Sequence, residues 1–513
     1  MTFAAHFAQE RPNEIALRDS YRSLTWSEVD DVLRPAVNAL THTPMRDTRR
    51  VAVFAGNSVE TLLAYVTCTL AGSSGVAVNA HLTASEARYI FEDADVDVVF
   101  CDAAHAETAA SAAAASGIRL IVAWGEGSLP PGVRSWAQWS AEAGVEEPRT
   151  DLPPRRTLVY TSGTTGRPKG VELPHTSWVG GKDITEHVDR LRGNRMIAYG
   201  RHLVVGPMYH SGPLAATRLF IGGAPVTVLG KYDATELLDT IERDRVGSSI
   251  MVPTHLQRLL DLPSDVRERF DHSSLKYVLQ VGAKCPDSVK RAMIDWWGPV
   301  IWESYGASEV GTTCMISSEE WLQHPGSVGR PVPPFEAFVR LPDGSEAPPG
   351  TEGELWFRDT SGHGITYVSG AGTNETFTLG EIGVINEDGY VWITDRAADM
   401  VVSGGVNIYP AEVEQTLLRH PQVSDVACYG VPDAEMGERL VAMVVAGGSD
   451  LPTAEALRMF CREHLAGYKC PKEFFLADEL PRTAVGKLDK RAIRRAHDRS
   501  SPRTDMREAA RTS

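Results

Sequence analysis

The sequence predicts an α/β protein: a large N-terminal domain of layered sheets and helices, followed by a small α+β C-terminal domain. Three observations predict it. Short apolar runs alternate with amphipathic segments through most of the chain, the pattern of strand–helix layers with largely parallel sheets. The chain has 513 residues. A single hydrophobic core stops growing at roughly 250–300 residues, so at least two domains are required. Near residue 380 the pattern changes to a hairpin signal, and beyond it lies a unit of roughly one hundred residues, a size that suits a small domain.

The apolar run from Val51 to Ala55 reads as a buried strand. A helix follows from Val59 to Leu70, with Ser58 placed to cap it. Val96 to Phe100 and Leu120 to Ala123 read as further strands. The alanine-rich run from Ala109 to Ala115 is low in complexity and reads as an exposed helix without chemistry. Asp388-Gly389, between Val384-Ile385-Asn386 and Tyr390-Val391-Trp392-Ile393, is a hairpin signal. After Arg396 come a helix (Pro410 to Arg419), two strands (Val423 to Tyr429, Arg439 to Val445) and a helix (Ala454 to Leu465). The domains therefore read as 1–397, 398–497 and a polar, disordered tail over 498–513.

Hydrophobic residues at 42% and charged residues at 23% are ordinary for a soluble globular protein. A net charge of −16 argues against nucleic-acid binding, which needs a basic face, but leaves room for a local pocket for an anionic cofactor. Cys68, Cys101, Cys285, Cys314, Cys428, Cys461 and Cys470 are scattered without a CxxC pair, which suits reduced thiols in the cytoplasm. The N-terminus lacks the pattern of a signal peptide, and no apolar stretch approaches the roughly 18 residues of a membrane span.

The most informative segment runs from Leu158 to Gly170: Leu-Val-Tyr160-Thr161-Ser162-Gly163-Thr164-Thr165-Gly166-Arg167-Pro168-Lys169-Gly170. A β-prone run leads into a loop of glycines, hydroxyls and cations. Glycines let backbone N–H groups converge on an anion, hydroxyls donate further, and Lys169 supplies charge for a polyphosphate. It is not a Walker A loop, because Pro168 stands where the second glycine belongs and Gly170 where the hydroxyl residue belongs.

This segment closely resembles the signature loop of the adenylate-forming superfamily, which includes acyl-CoA synthetases, aryl-CoA ligases, beetle luciferases and peptide-synthetase adenylation domains. Other segments resemble further motifs in the same order. They are Gly206-Pro207-Met208-Tyr209-His210-Ser211-Gly212; Ser304-Tyr305-Gly306-Ala307-Ser308-Glu309; Asp395-Arg396-Ala397-Ala398-Asp399 with Ser403-Gly404-Gly405 beyond it; and Pro481 to Leu488, which contains Gly486-Lys487. The resemblance spans about Leu24 to Arg491 and is strongest to fatty-acid–CoA ligases.

The resemblance implies the roles. The loop from Thr161 to Gly170 holds the β- and γ-phosphates of ATP, and Glu309 with the Thr161 hydroxyl contacts Mg²⁺. The nucleoside lies against Gly282-Ala283-Lys284 and the Ser304–Ser308 segment, with Tyr305 as a stacking face. Glu381, in Leu379-Gly380-Glu381 where the family has Thr-Gly-Asp, and Arg396 hold the ribose. Met208, Tyr209, His210, Ser211, Gly282 and Gly306 line the acid pocket. Lys487 neutralises the α-phosphate, and Ala398 takes the place of the usual polar hinge residue. The segment from about Thr360 to Thr378 departs from the family pattern.

A buried ammonium needs an acidic partner. Gly206 to Thr217 contains no Asp or Glu, which disfavours amino acids and favours a fatty or aryl acid, in fatty-acid or lipid metabolism. No carrier domain follows the small domain, so a separate thiol, by default coenzyme A, accepts the acyl group, lined by Ser403-Gly404-Gly405 with Lys469 at its phosphates. Two alternatives stay open: an adenylating enzyme using a carrier-protein thiol, an amine or an inorganic nucleophile, and a non-catalytic nucleotide-binding regulator.

Overall fold

The structure is a computed structural model that describes residues 3–162, 168–341, 343–365, 375–396, 400–448, 450–481 and 490–499. The chain divides into two compact units. The first comprises Met1–Ala80, Ala84–Tyr160 and Gly170–Asp395; the second comprises Arg396–Ser513 with the short segments His81–Thr83 and Thr161–Lys169. Among the described residues there are three sheets, of fourteen, seven and five strands. No helix there is long and apolar enough to cross a membrane.

The seven-stranded sheet is built as the apolar runs predict. Arg50–Phe54 pairs in parallel with Ser74–Val78 on one side and Val98–Asp102 on the other. Parallel neighbours need a crossover, which the helix Val59–Leu70 supplies. Ser58 caps that helix by accepting from the Thr61 N–H. The strand expected from Val96 starts two residues later. Val96 N donates to Phe91 O at 2.9 Å and closes the preceding helix instead. The alanine-rich helix, Ala106–Ser116, is not wholly exposed: Ala109, Ala112 and Ala113 are buried, and small side chains let it lie close against the helix Ala84–Asp93.

The larger sheet has a parallel half and an antiparallel half. Val226–Val228, His202–Val204, Ser248–Met251, Tyr277–Gln280 and Ile301–Ala307 are consecutive parallel neighbours. At Gly311–Ile316 the chain reverses, and the sheet continues through Ser327–Pro331, Val391–Arg396, Glu381–Ile385, Gly353–Asp359 and Phe335–Arg340. The Asp388-Gly389 hairpin forms as expected, with Gly389 at φ 81° and Asn386 N donating to Tyr390 O.

The second unit is α+β. Gly437–Ala446 pairs antiparallel with Val423–Asp433 and parallel with Glu473–Leu476. Helices Pro410–Leu417 and Ala454–His464 pack Val413, Leu417, Leu457 and Cys461 onto Val426, Cys428, Leu440 and Phe474. All seven cysteines are buried. The expected tail beyond residue 499 lies outside the described residues.

Candidate active site

In open parallel sheets, ligands bind beyond the carboxyl ends of the strands. Four adjacent strands end at one edge here. His202–Val204 leads into Gly206 to Gly212, Ser248–Met251 into Val252, Tyr277–Gln280 into Gly282-Ala283-Lys284, and Ile301–Ala307 into Ser308-Glu309. The in-register pairs Val204↔Ile250 and Met251↔Gln280 hold the first three ends level, and Gln280↔Glu303 sets the fourth strand beside them, from where it runs on to Ala307. Motifs up to about a hundred residues apart in the chain thus meet along one sheet edge.

Asn57 ties the first of these segments down. Its amide donates to Gly206 O at 2.9 Å and Leu229 O at 3.2 Å, and its oxygen accepts from Met208 N at 2.9 Å. The strand signal from Val51 to Ala55 ends two residues earlier, and nothing in the local sequence marks Asn57. His210 stands at the N-terminus of the helix Ser211–Gly222, its ring 4.7 Å from that of Tyr209. Its Nε2 is shut from solvent without a hydrogen-bond partner among the described residues. Burial pushes its pKa down to about 4, so the ring is neutral at pH 7.

Gly282 turns at φ 88°, and the Gln280 amide donates to Ala283 O at 2.7 Å to close that turn. In the next strand the register slips between Tyr305 and Gly306. A Cβ on Gly306 would lie 1.9 Å from Gly311 O, so only glycine lets the two sides of this hairpin approach. Thr313 Oγ1 donates to Tyr305 O at 3.1 Å. The Tyr305 hydroxyl donates to the buried Glu381 carboxylate, joining the expected stacking face to the expected ribose carboxylate. On the same strand as Tyr305, Glu303 forms a buried ion pair with Lys290, whose ammonium lies 5.0 Å from the Trp321 ring centroid. Burial holds the Glu303 carboxyl above its usual range, and Lys290 opposes that shift.

The second unit holds Ser403-Gly404-Gly405 in a hairpin between Val401–Ser403 and Val406–Ile408, with both glycines at positive φ and Gly404 N donating to Met436 O at 2.8 Å. Lys469, expected at the phosphates of the thiol cofactor, is buried, and its ammonium donates to Glu412 at 2.9 Å.

The AMP-binding enzyme family matches residues 4–365 and its C-terminal domain matches residues 412–487. The chain belongs to that family. It is an adenylate-forming enzyme of the acyl- and aryl-CoA ligase kind. Among curated members, it is 31% identical to a feruloyl-CoA synthase of Amycolatopsis sp, over 95% of this chain and 97% of that one. It is 28% identical to a 2-succinylbenzoate–CoA ligase of Bacillus cereus, over 94% and 95%. Among solved structures, the amide bond synthetase McbA of Marinactinospora thermotolerans superposes with TM-score 0.81 at 25% identity, covering 97% of this chain and 99% of that one. The o-succinylbenzoate CoA synthetase MenE of Bacillus subtilis, bound to a product analogue, superposes with TM-score 0.78 at 25% identity over 96% and 98%.

Within this family member, the expected residues Met208 to Ser211, Gly282 to Lys284 and Ser304 to Glu309 converge on one sheet edge, and Glu381 reaches Tyr305. Lys169 is exposed, and Thr161 lies in the strand Leu158–Ser162. Gly163 to Gly166, Ala398 and Lys487 lie outside the described residues, as does the side chain of Arg396.

Proposed function

We propose that this chain activates an aryl carboxylic acid with ATP, forming an acyl-adenylate and pyrophosphate, and then transfers the acyl group to coenzyme A. The observation that carries this is the neutral, unpartnered Nε2 of His210 on the same sheet edge as Gly282 and Tyr305. Adenylation brings two anions together, an acid carboxylate and a triphosphate. A neutral imidazole can donate to the carboxylate without quenching it as a nucleophile. Gly282 permits the close approach of a flat base, Tyr305 offers its face, Glu381 accepts from the ribose hydroxyls and Arg396 donates to them. The loop from Thr161 to Gly170 holds the terminal phosphates, and Lys487 meets the charge that develops at the α-phosphate. Ser403-Gly404-Gly405 guides the thiol.

Among the described residues no cluster of three His, Cys, Asp or Glu could hold a metal alone. Glu309 and the Thr161 hydroxyl are hard oxygen donors and would hold a Mg²⁺ ion supplied with the nucleotide. When bound, that ion offsets phosphate charge during adenylation.

The fatty-acid half of the expectation gains no support, because the curated relatives are named for ring-bearing acids, feruloyl and 2-succinylbenzoate. One observation favours a second acceptor: the amide bond synthetase superposes as well as the CoA synthetase does. Pyrophosphate release with hydroxycinnamates, benzoates and fatty acids, each with coenzyme A, an amine or neither, separates these readings. Release with aryl acids followed by a CoA thioester is expected. Release confined to fatty acids overturns the substrate class, and amide in place of thioester overturns the acceptor.

A further inference from the structure

The turn that carries Glu309 is braced from two sides. Ser308 Oγ lies 3.1 Å from Ser211 Oγ, on the acid-pocket side. On the other side Thr176 Oγ1 donates to Val310 O at 2.9 Å. The two turns touch without spare room: a Cβ on Gly311 would sit 2.5 Å from Thr176 Oγ1 and 3.3 Å from Pro174 Cγ.

Thr176 belongs to the short turn His175–Ser177, which follows the strand Pro168–Glu172. His175 is anchored in turn. Its Nε2 lies 3.3 Å from Asp359 Oδ2 and 3.1 Å from Ser361 Oγ, and its ring stacks on that of His363 at 4.6 Å. Asp359 is 1% exposed, at the end of the strand Gly353–Asp359. It also accepts from the N–H groups of Ser361 at 2.9 Å and Gly364 at 3.3 Å, and its own N–H donates to Glu375 O at 2.7 Å. A buried carboxylate fixed this way has one direction left in which to act, through the imidazole. The group is not a serine nucleophile relay. Such a relay uses the two ring nitrogens separately, whereas Ser361 and Asp359 meet His175 at the same one.

We propose that His175 and Asp359 are positioning residues for adenylation: the pair holds the His175–Ser177 turn, which through Thr176 sets the position of the Ser308–Gly311 turn and its carboxylate, Glu309. This rests on the role proposed above for Glu309. The pair acts through the turn it holds and not on a reacting atom. Its effect should therefore appear as a change in the ATP and Mg²⁺ dependence of adenylation and spare thiol transfer.

ATP–pyrophosphate exchange would be measured across ATP and Mg²⁺ concentrations, and thiol transfer from a supplied acyl-adenylate measured separately. His175→Ala is expected to raise the half-saturating ATP and Mg²⁺ concentrations about tenfold, as for loss of one contact to a charged group, with transfer within about twofold. His175→Gln, whose amide nitrogen can take the place of Nε2, should recover most of that loss. Thr176→Val changes an exposed residue, so it also answers the question if His175→Ala fails to fold; it should shift the same dependence about threefold. Unchanged ATP and Mg²⁺ dependence in His175→Ala and Thr176→Val overturns the proposal, and so does an equal loss of both half-reactions. If the wild-type protein exchanges pyrophosphate with no acid at all, the functional reading fails first and this inference with it.

Discussion

Tyr305 and Glu381 stand 76 positions apart and meet through one hydrogen bond. An aspartate at position 381 would be shorter by a methylene and would fall away from the Tyr305 hydroxyl. The extra length of glutamate therefore adds a contact at the proposed ribose end of the site. Tyr305→Phe and Glu381→Asp should each raise the KM for ATP several-fold, and the double variant should be no worse than either alone, because both remove the same contact. Glu381→Ala, which also removes the proposed ribose acceptor, should be clearly worse in the same assay. Additive effects of Tyr305→Phe and Glu381→Asp would show that the two residues act separately.

Histidine burial gives a pH dependence at the same scale. His202 and His210 are both pushed down to about 4 by burial, while an unfolded chain titrates near 6.5. Between these values the unfolded state binds more protons than the folded one, so stability falls as pH drops from about 6.5 towards 4 and is flat above that window. His202 packs inside the sheet with its Nδ1 3.0 Å from Ser248 Oγ. Melting followed from pH 7 to pH 5 should show a smaller acid loss in His202→Gln than in the wild type. An identical acid loss in both would mean that His202 does not carry that part of the dependence.

At the scale of elements, the site depends on strand ends held level. Asn57 sits on the loop between a strand of one sheet and the helix Val59–Leu70, yet two of its hydrogen bonds close the Gly206–Met208 segment of the other sheet and a third ties that segment to Leu229. Asn57→Ala leaves those partners unsatisfied in a part-buried site, at about 1–3 kcal/mol. A lower Tm and a raised KM for the acid are expected together; a lower Tm alone would mean that Asn57 serves only the fold. Several elements are legible from local pattern: the Ser58-capped helix, the Asp388-Gly389 hairpin and the two helices of the second unit. The start of the strand at Val98 is not, because Val96 and Asp97 are as β-prone or as neutral in isolation as in a strand, and only the closing bond to Phe91 O claims Val96 for the helix. Ala109, Ala112 and Ala113 likewise read locally as a solvated run, since alanine suits an exposed helix and a close helix contact equally.

At the scale of the whole molecule, the two half-reactions proposed here need different groups in one site: Lys487 at the α-phosphate during adenylation, the thiol at the acyl carbonyl afterwards. Ala398, two residues after Arg396, is the proposed pivot between these arrangements. Proline at 398 would fix φ near −65° and restrict Ala397 as well. Ala398→Pro is expected to keep pyrophosphate exchange and to lose most thioester formation from preformed adenylate. Lys487→Ala should do the opposite, losing exchange by about 10²-fold or more and retaining transfer. Wild-type rates for both steps in Ala398→Pro would remove residue 398 as the pivot.

What the sequence determined by itself were the features written in neighbouring residues: strand and helix periods, the capping serine, the turn glycines, the glycine- and hydroxyl-rich loop, and the order of motifs that identifies the family. What only the tertiary structure decided were the relations between distant residues. Which strands lie side by side is not encoded in any one apolar run, because every parallel strand buries both faces and reads alike. The meeting of His210, Gly282 and Glu309 on one edge follows from that strand order. So do the bond between Tyr305 and Glu381 and the bracing of the Glu309 turn by Thr176. Lys469 makes the same point: its burial is tolerable because a carboxylate lies close by, and Glu412, 57 positions away, supplies it.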